Sequence, residues 1–155
     1  MKLDDIDRRL LIALQQDADR PIKEIAEAAG ISTTPAWRRI RAMEAAGVIG
    51  GRVAIVDAAK AGLGVTVFVQ IKTDRHDDDW MQGFARGARA MPEIVEIYRM
   101  AGDVDYLLKV VVPSIAAYDA FYKRLIKIAP LADVAAGFAM EQIKNSTALP
   151  VELAV

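Results

Sequence analysis

Cysteine is absent from this 155-residue chain, which excludes disulfides, thiol redox chemistry and thiolate metal centres. Histidine occurs once, so a histidine-built catalytic or metal cluster has almost nothing to draw on. Surplus charge is lacking too, at a net −1. Residues 1–52 carry nine Lys and Arg against eight Asp and Glu, which is no basic tail and implies modest affinity for arbitrary nucleic acid by one copy alone. No apolar run is long enough to span a bilayer, the strongest being near residues 61–71. The opening Met1-Lys2-Leu3-Asp4-Asp5 is acidic and has no apolar signal-peptide region. A cytoplasmic protein without a membrane partner is the expectation. Gly62-Leu63-Gly64 lacks the residues that would make it a phosphate loop, and no cofactor is expected.

What is present begins with Ile22, Ile25, Ala26 and Ala29, spaced as one face of a helix. Pro21 sits where a helix tolerates a missing N–H, and Gly30 can take the left-handed conformation that ends one. Ser32 supplies an oxygen for the cap of the next helix, whose buried side is marked by Ala36, Ile40 and Met43. Its other side carries Thr34, Arg38 and Arg41 at i, i+4 and i+7, with Trp37 beside them and Arg39 at the flank. Two short helices, a glycine turn and arginines on the second make a helix-turn-helix, which lays one helix in the major groove of double-stranded DNA. Ser32, Thr33 and Thr34 at the helix start suit phosphate, and arginine forks suit guanine edges or phosphate oxygens. Ile6, Leu10, Leu11 and Leu14 predict a preceding helix, with Asp4 as its cap. Gly47 to Val56 predicts a turn and a short wing or linker strand.

Beyond Asp57 the pattern changes to short strands and helices. Val65–Ile71 alternates as a strand. Asp77-Asp78-Asp79 precede a helix carrying Trp80, Phe84, Ala88 and Met91. Ile94–Met100 and Tyr106–Val112 are strands around the turn Gly102-Asp103-Val104-Asp105. Ser114 caps a helix through Tyr118, Tyr122 and Leu125, and Val134–Lys144 reads as a last strand. The order βαββαβ predicts an α+β chain, a winged helix-turn-helix followed by a ferredoxin-like sandwich. The expected division is 1–52 for DNA, 53–64 as linker strand or hinge, and 65–155 for effector binding and oligomerisation. Phe68, Leu107 and Val111 point away from the helix-covered side, so the sheet reads as apolar on both faces, and a second copy is the simplest cover.

His76-Asp77-Asp78-Asp79 is a poor metal site, because adjacent side chains splay; it reads as loop and helix cap. Asp103 and Asp105 lack a nucleophile or histidine in a motif context, so a catalytic pair is not the preferred reading.

The chain resembles the Lrp/AsnC family, the leucine-responsive or feast/famine regulators of bacteria and archaea. The resemblance is carried by Leu3-Asp4-Asp5-Ile6-Asp7, Glu24-Ile25-Ala26, Gly30-Ile31-Ser32, Arg39-Ile40, Glu44-Ala45-Ala46-Gly47-Val48-Ile49, Gly102-Asp103-Val104-Asp105-Tyr106-Leu107-Leu108 and Ile143-Lys144. It implies a nucleoid-associated transcription regulator that dimerises through its sheets and assembles to tetramers or octamers. It also implies a small amino acid or related effector between subunits. By family position, the Gly102–Asp105 turn is the pocket floor, and Gly137-Phe138-Ala139, at the start of the last strand, is the facing wall. Arg99 and Met100 stand just before the turn, and Gly137 leaves the wall open. In physical terms, turn amides suit a carboxylate and Asp103 or Asp105 an ammonium. The competing reading is a tetrapyrrole decarboxylase on the same scaffold; the lone His76 in a loop and the intact arginine helix favour a regulator, not an enzyme.

Overall fold

The structure, a computed structural model, describes residues 1–154. The chain forms two compact units, Met1–Ala54 with the segment from Ile143 onward, and Ile55–Gln142. Among the described residues, no helix is long and apolar enough to cross a membrane.

The first unit holds α1 (Asp5–Gln16), α2 (Ile22–Ala29) and α3 (Thr33–Ala45). Asp4 caps α1 as expected, accepting from the Asp7 N–H, while the Asp7 carboxylate accepts from the Asp4 N–H. This reciprocal box satisfies two of the amides a helix start leaves unpaired. Gly30 ends α2 at φ +74°, and the Ile31 N–H reaches back to the Ala26 carbonyl. Gly47, at φ +71°, ends α3 in the same way, with the Val48 N–H on the Met43 carbonyl. A Cβ at either glycine would meet the steric penalty of the left-handed region. Leu10, Ala29, Ala36 and Met43 are fully buried, with Leu11, Leu14, Ile25, Ala26 and Ile40 around them. The alanines let the helices approach, and each buried aliphatic contributes about 1.5–3 kcal/mol relative to exposure.

Two expectations fail here. The predicted wing strand does not form: residues 50–57 have no ladder partner among the described residues. A lone extended segment cannot pair its own backbone, so it stays irregular, with Val53, Ile55 and Val56 exposed. The chain's end, assigned by sequence to the sheet module, instead lies with the helices. A short 3₁₀ turn, Val151–Leu153, puts Val151 against the helical core. The Leu149 N–H donates to Gln15 Oε1 at 2.7 Å and Gln15 Nε2 donates to the Leu149 carbonyl at 3.2 Å. Arg8 donates to the Ala154 carbonyl at 2.7 Å. Gln15 and Arg8 thus supply the partners that this strandless backbone cannot find in itself.

The second unit is β1 (Val65–Lys72), α4 (Asp78–Arg89), β2 (Ile94–Arg99), β3 (Tyr106–Val112), α5 (Ile115–Leu125) and β4 (Asp133–Phe138). All pairings are antiparallel, in the order β2-β3-β1-β4, the ferredoxin-like arrangement expected. Asp77 caps α4 through the Trp80 N–H and is gripped by Arg75 at 2.9 and 3.1 Å. Among the described residues no group of three His, Cys, Asp or Glu could hold a metal ion. Trp80 stacks on Phe84 at 5.2 Å, Phe84 meets Tyr106 at 4.8 Å, and Trp80 Nε1 donates to the Pro130 carbonyl. Val67, Val69, Ile71, Leu108, Val110 and Val112 supply the sheet's side of this core. β4 ends at Phe138, six residues short of the predicted end, because with the Ala139 N–H on Thr66 the chain has come within one residue of the start of β1.

The uncovered face of the sheet is mixed rather than uniformly apolar. Phe68 and Tyr98 are exposed there and Leu107 and Val111 half-buried. Beside them Lys109 pairs with Glu96 at 2.9 Å, Tyr98 donates to the same carboxylate, and Gln70 points outward. Lys109 and then Tyr98 hold the Glu96 carboxyl below the usual carboxylate range. The ladder slips at Val95, and this bulge keeps Glu96 and Tyr98 on the face of Lys109 and Leu107.

Candidate nucleic-acid interface and effector site

α3 buries Ala36, Ile40 and Met43 and exposes Ser32, Thr33, Thr34, Trp37, Arg38 and Arg41. The helical period therefore gathers six of the seven predicted residues on one open surface. Ser32 occupies the cap position with extended backbone, but its hydroxyl makes no cap bond. Part of the reason lies three residues on: a serine cap bonds the second or third helical N–H, and here the third helical residue is Pro35, which has none. Among the described residues the amides of Thr33 and Thr34 also lack an intramolecular partner. Hydroxyls, free amides and the positive end of the helix dipole make this turn receptive to an anion. Arg38 has no carboxylate within 4.0 Å among the described residues, whereas Arg41 leans over Trp37 at 5.4 Å.

Arg39, the seventh, belongs elsewhere. Its guanidinium donates to Asp4 at 2.7 Å and Asp7 at 2.8 Å, clamping the capped start of α1 to the middle of α3. The Asp7 N–H and then Arg39 hold the Asp4 carboxyl below the usual carboxylate range. Asp7 is only 3% exposed, and a buried carboxylate needs such a partner. The signal was legible: Asp7 sits one residue after Ile6 and three before Leu10, on the apolar side of its helix.

Sequence reading missed a groove of about 270 Å³ beside this surface. Ile22, Ile25, Ile40 and Trp37 form its apolar part, and Arg20, Arg41, Glu44 and Arg52 its polar part. Arg20 and Arg52 lie 18 and 11 residues from Arg38 and Arg41 respectively in sequence, so no helical period links them to α3.

In the second unit, the Gly102–Asp105 turn closes the β2–β3 hairpin. Gly102 has φ +134°, a conformation for glycine. The Met100 N–H donates to the Asp105 carbonyl at 2.8 Å, and the Asp105 N–H to the Ile71 carbonyl at 3.0 Å. Asp105 accepts from the Thr73 N–H at 2.8 Å, so one of its oxygens is committed to the backbone beyond β1. Asp103 is exposed and pairs with Lys72 at 2.7 Å, a bond that raises the Lys72 pKa. Arg99 and Met100 are exposed beside them, and Val104 is half-buried.

Gly137, Phe138 and Ala139 end the last strand instead of starting it. Phe138 pairs with Val67, while the turn adjoins Ile71. Four residue steps along β1 separate them, about 13 Å, so one chain does not bring floor and wall together. Phe138 in addition packs edge-on against Tyr118 at 5.1 Å, on the helix-covered side.

Residues 3–44 match the AsnC-type helix-turn-helix domain, and residues 66–149 the Lrp/AsnC ligand binding domain. The chain is 48% identical over 151 residues to the DNA-binding transcriptional activator DecR of Escherichia coli K12, covering 97% of this chain and 99% of that one. A crystal structure of an AsnC family transcriptional regulator from Agrobacterium tumefaciens superposes with a TM-score of 0.94 at 51% identity, over 99% and 100% of the two chains. A Neisseria meningitidis transcriptional regulator in complex with L-Met superposes at 0.91 and 27% identity, over 97% of each. These relatives are transcription regulators and lend nothing to the decarboxylase reading. With both halves matched in order and the fold shared over nearly its full length, the chain belongs to the Lrp/AsnC family of transcriptional regulators.

Proposed function

We propose that this protein is a sequence-specific regulator whose α3 enters the major groove. Thr34, Trp37, Arg38 and Arg41 face base edges, and Ser32 and Thr33 hold a phosphate at the helix start. The observation that carries this reading is the exposed Thr34-Trp37-Arg38-Arg41 surface beside an uncapped, amide-bearing helix N-terminus. Arg39 is left out of the DNA set, because Asp4 and Asp7 already occupy it.

The near-neutral first unit gives one copy little purchase on a polyanion, so two reading heads are needed, as in other helix-turn-helix proteins. The uncovered sheet face, with Phe68, Tyr98, Leu107 and Val111, is the surface offered for a homodimer. Tetramers or octamers of that dimer complete the assembly. The effector is an amino acid, in keeping with the ligand-binding family model and the L-Met complex of the neighbour. Its ammonium competes with Lys72 for Asp103, and the turn at Gly102 receives its carboxylate. Val104 and Asp105 shape the floor, with Arg99 and Met100 beside it. Gly137, Phe138 and Ala139, remote from the turn in one chain, come from another protomer. The cytoplasm is the compartment this function requires.

The test is binding to DNA from upstream of the protein's own gene against a scrambled duplex, at fixed salt, with and without a pool of amino acids. Selective binding that one amino acid shifts supports both halves. Equal binding to both duplexes under every condition overturns the sequence-reading half, and an unresponsive selective binder overturns the effector half.

A further inference from the structure

Glu44 stands in the last turn of α3, and both its carboxylate oxygens are spent on arginines. Oε2 accepts from Arg41 at 3.2 Å and Oε1 from Arg52 at 3.2 Å. The three side chains line the groove that Trp37 and Arg20 share. A carboxylate between two guanidinium groups presents to them what a DNA phosphate presents, a pair of anionic oxygens. The partners differ in how firmly they are held: the Glu44 side chain is 30% exposed, against 65% for Arg41 and 49% for Arg52. Glu44 is the anchored member, and the arginines are the ones free to move.

We propose that Glu44 is a specificity-determining residue, an internal competitor that holds Arg41 and Arg52 away from DNA of arbitrary sequence. The inference rests on the DNA-binding reading above. Exposed ion pairs of this kind are weak, so DNA can break them. The carboxylate then remains fixed on α3, facing the incoming phosphates. That opposition is the same for every sequence. Only a site whose bases offer Arg41 a bidentate edge supplies an offsetting contact. In a unit with nearly balanced charge, one such carboxylate moves the non-specific background appreciably.

Two variants test this, with duplexes from the upstream region and scrambled duplexes of equal composition. Glu44→Gln keeps the size of the side chain and removes its charge. It raises affinity for scrambled DNA by about three- to tenfold at low salt, a gain that shrinks as salt screens it. Affinity for the upstream duplex rises less, so discrimination falls. Glu44→Asp keeps the charge and retains the discrimination of the unaltered protein. Equal gains or losses on both duplexes with Glu44→Gln overturn the proposal, as does the same loss of discrimination in both variants, which assigns the effect to packing. Absence of selectivity in the unaltered protein counts against the DNA-binding reading itself; selectivity that Glu44→Gln preserves overturns only the role of Glu44.

Discussion

The outer face of α3 and the Gly102 turn both concentrate charge, yet their charges stand in opposite conditions. On α3, Arg38 has no acidic neighbour among the described residues, and Arg41, itself exposed, has only the half-buried Glu44. In the turn, Asp103 already has Lys72 and Asp105 already has the Thr73 N–H. The helix surface is complete within one chain, because a single 3.6-residue period assembles it. The turn stands apart from its expected wall, which lies about 13 Å away along β1 in the same chain. An unpartnered charge meets a ligand without first losing anything, whereas a paired one must give up its partner, as Asp103 must give up Lys72.

The largest expected effect breaks the helix side. Arg38→Ala with Arg41→Ala removes about 1–3 kcal/mol per arginine from selective DNA binding, while light scattering shows unchanged assembly. Arg39→Ala sharpens the contrast between neighbouring arginines. It leaves Asp7 buried without its partner and costs about 1–3 kcal/mol of stability, measured by denaturant unfolding, with DNA affinity of the folded fraction unchanged. On the turn side, Asp105→Ala frees the Thr73 N–H and lowers the second unit's stability by about 1 kcal/mol. Asp103→Ala leaves its melting midpoint in place but blunts the effector response, read as a DNA shift with and without amino acids.

The smallest effect is that of acid. Because Asp4 titrates lower in the folded protein than unfolded, its contribution is complete above its unfolded pKa, near pH 4, and is lost as pH falls through the folded value. Glu96 in the second unit behaves likewise. Titration from pH 5 to 2 therefore weakens both units, and Arg39→Ala reduces the Asp4 share while the Asp7 N–H retains the larger part. A first unit that loses the same stability with and without Arg39 contradicts the clamp.

The helix-turn-helix was legible because its signals are local: the 3.6-residue period, Gly30, and Arg38 and Arg41 one turn apart. The sheet module was legible from alternation and from the order of its strands and helices. Failures fall where a partner is distant in sequence. Val53–Val56 looked like a strand by composition, but a strand exists only with a ladder. Ser32 looked like a cap, yet Pro35 withholds one of the two N–H groups a cap binds, and the hydroxyl makes no cap bond. Leu149–Leu153 looked like an appendage of the sheet, and Gln15 on Leu149 and Arg8 on the following Ala154, more than 130 residues away, hold it to α1. Arg39 looked like its neighbours until Asp4 and Asp7 were folded against it.

Periodicity, turn residues and strand order, all properties of neighbouring positions, determined from sequence alone the helix-turn-helix, the βαββαβ order and the exposed side of α3. Tertiary structure alone decided which charges are already satisfied. Arg39 is clamped while Arg38 is free, Glu44 sits between Arg41 and Arg52, and the turn and the end of β4 lie apart. Ion pairs form between whichever groups folding brings within a few ångströms, and sequence spacing does not encode that distance once the chain has turned back on itself.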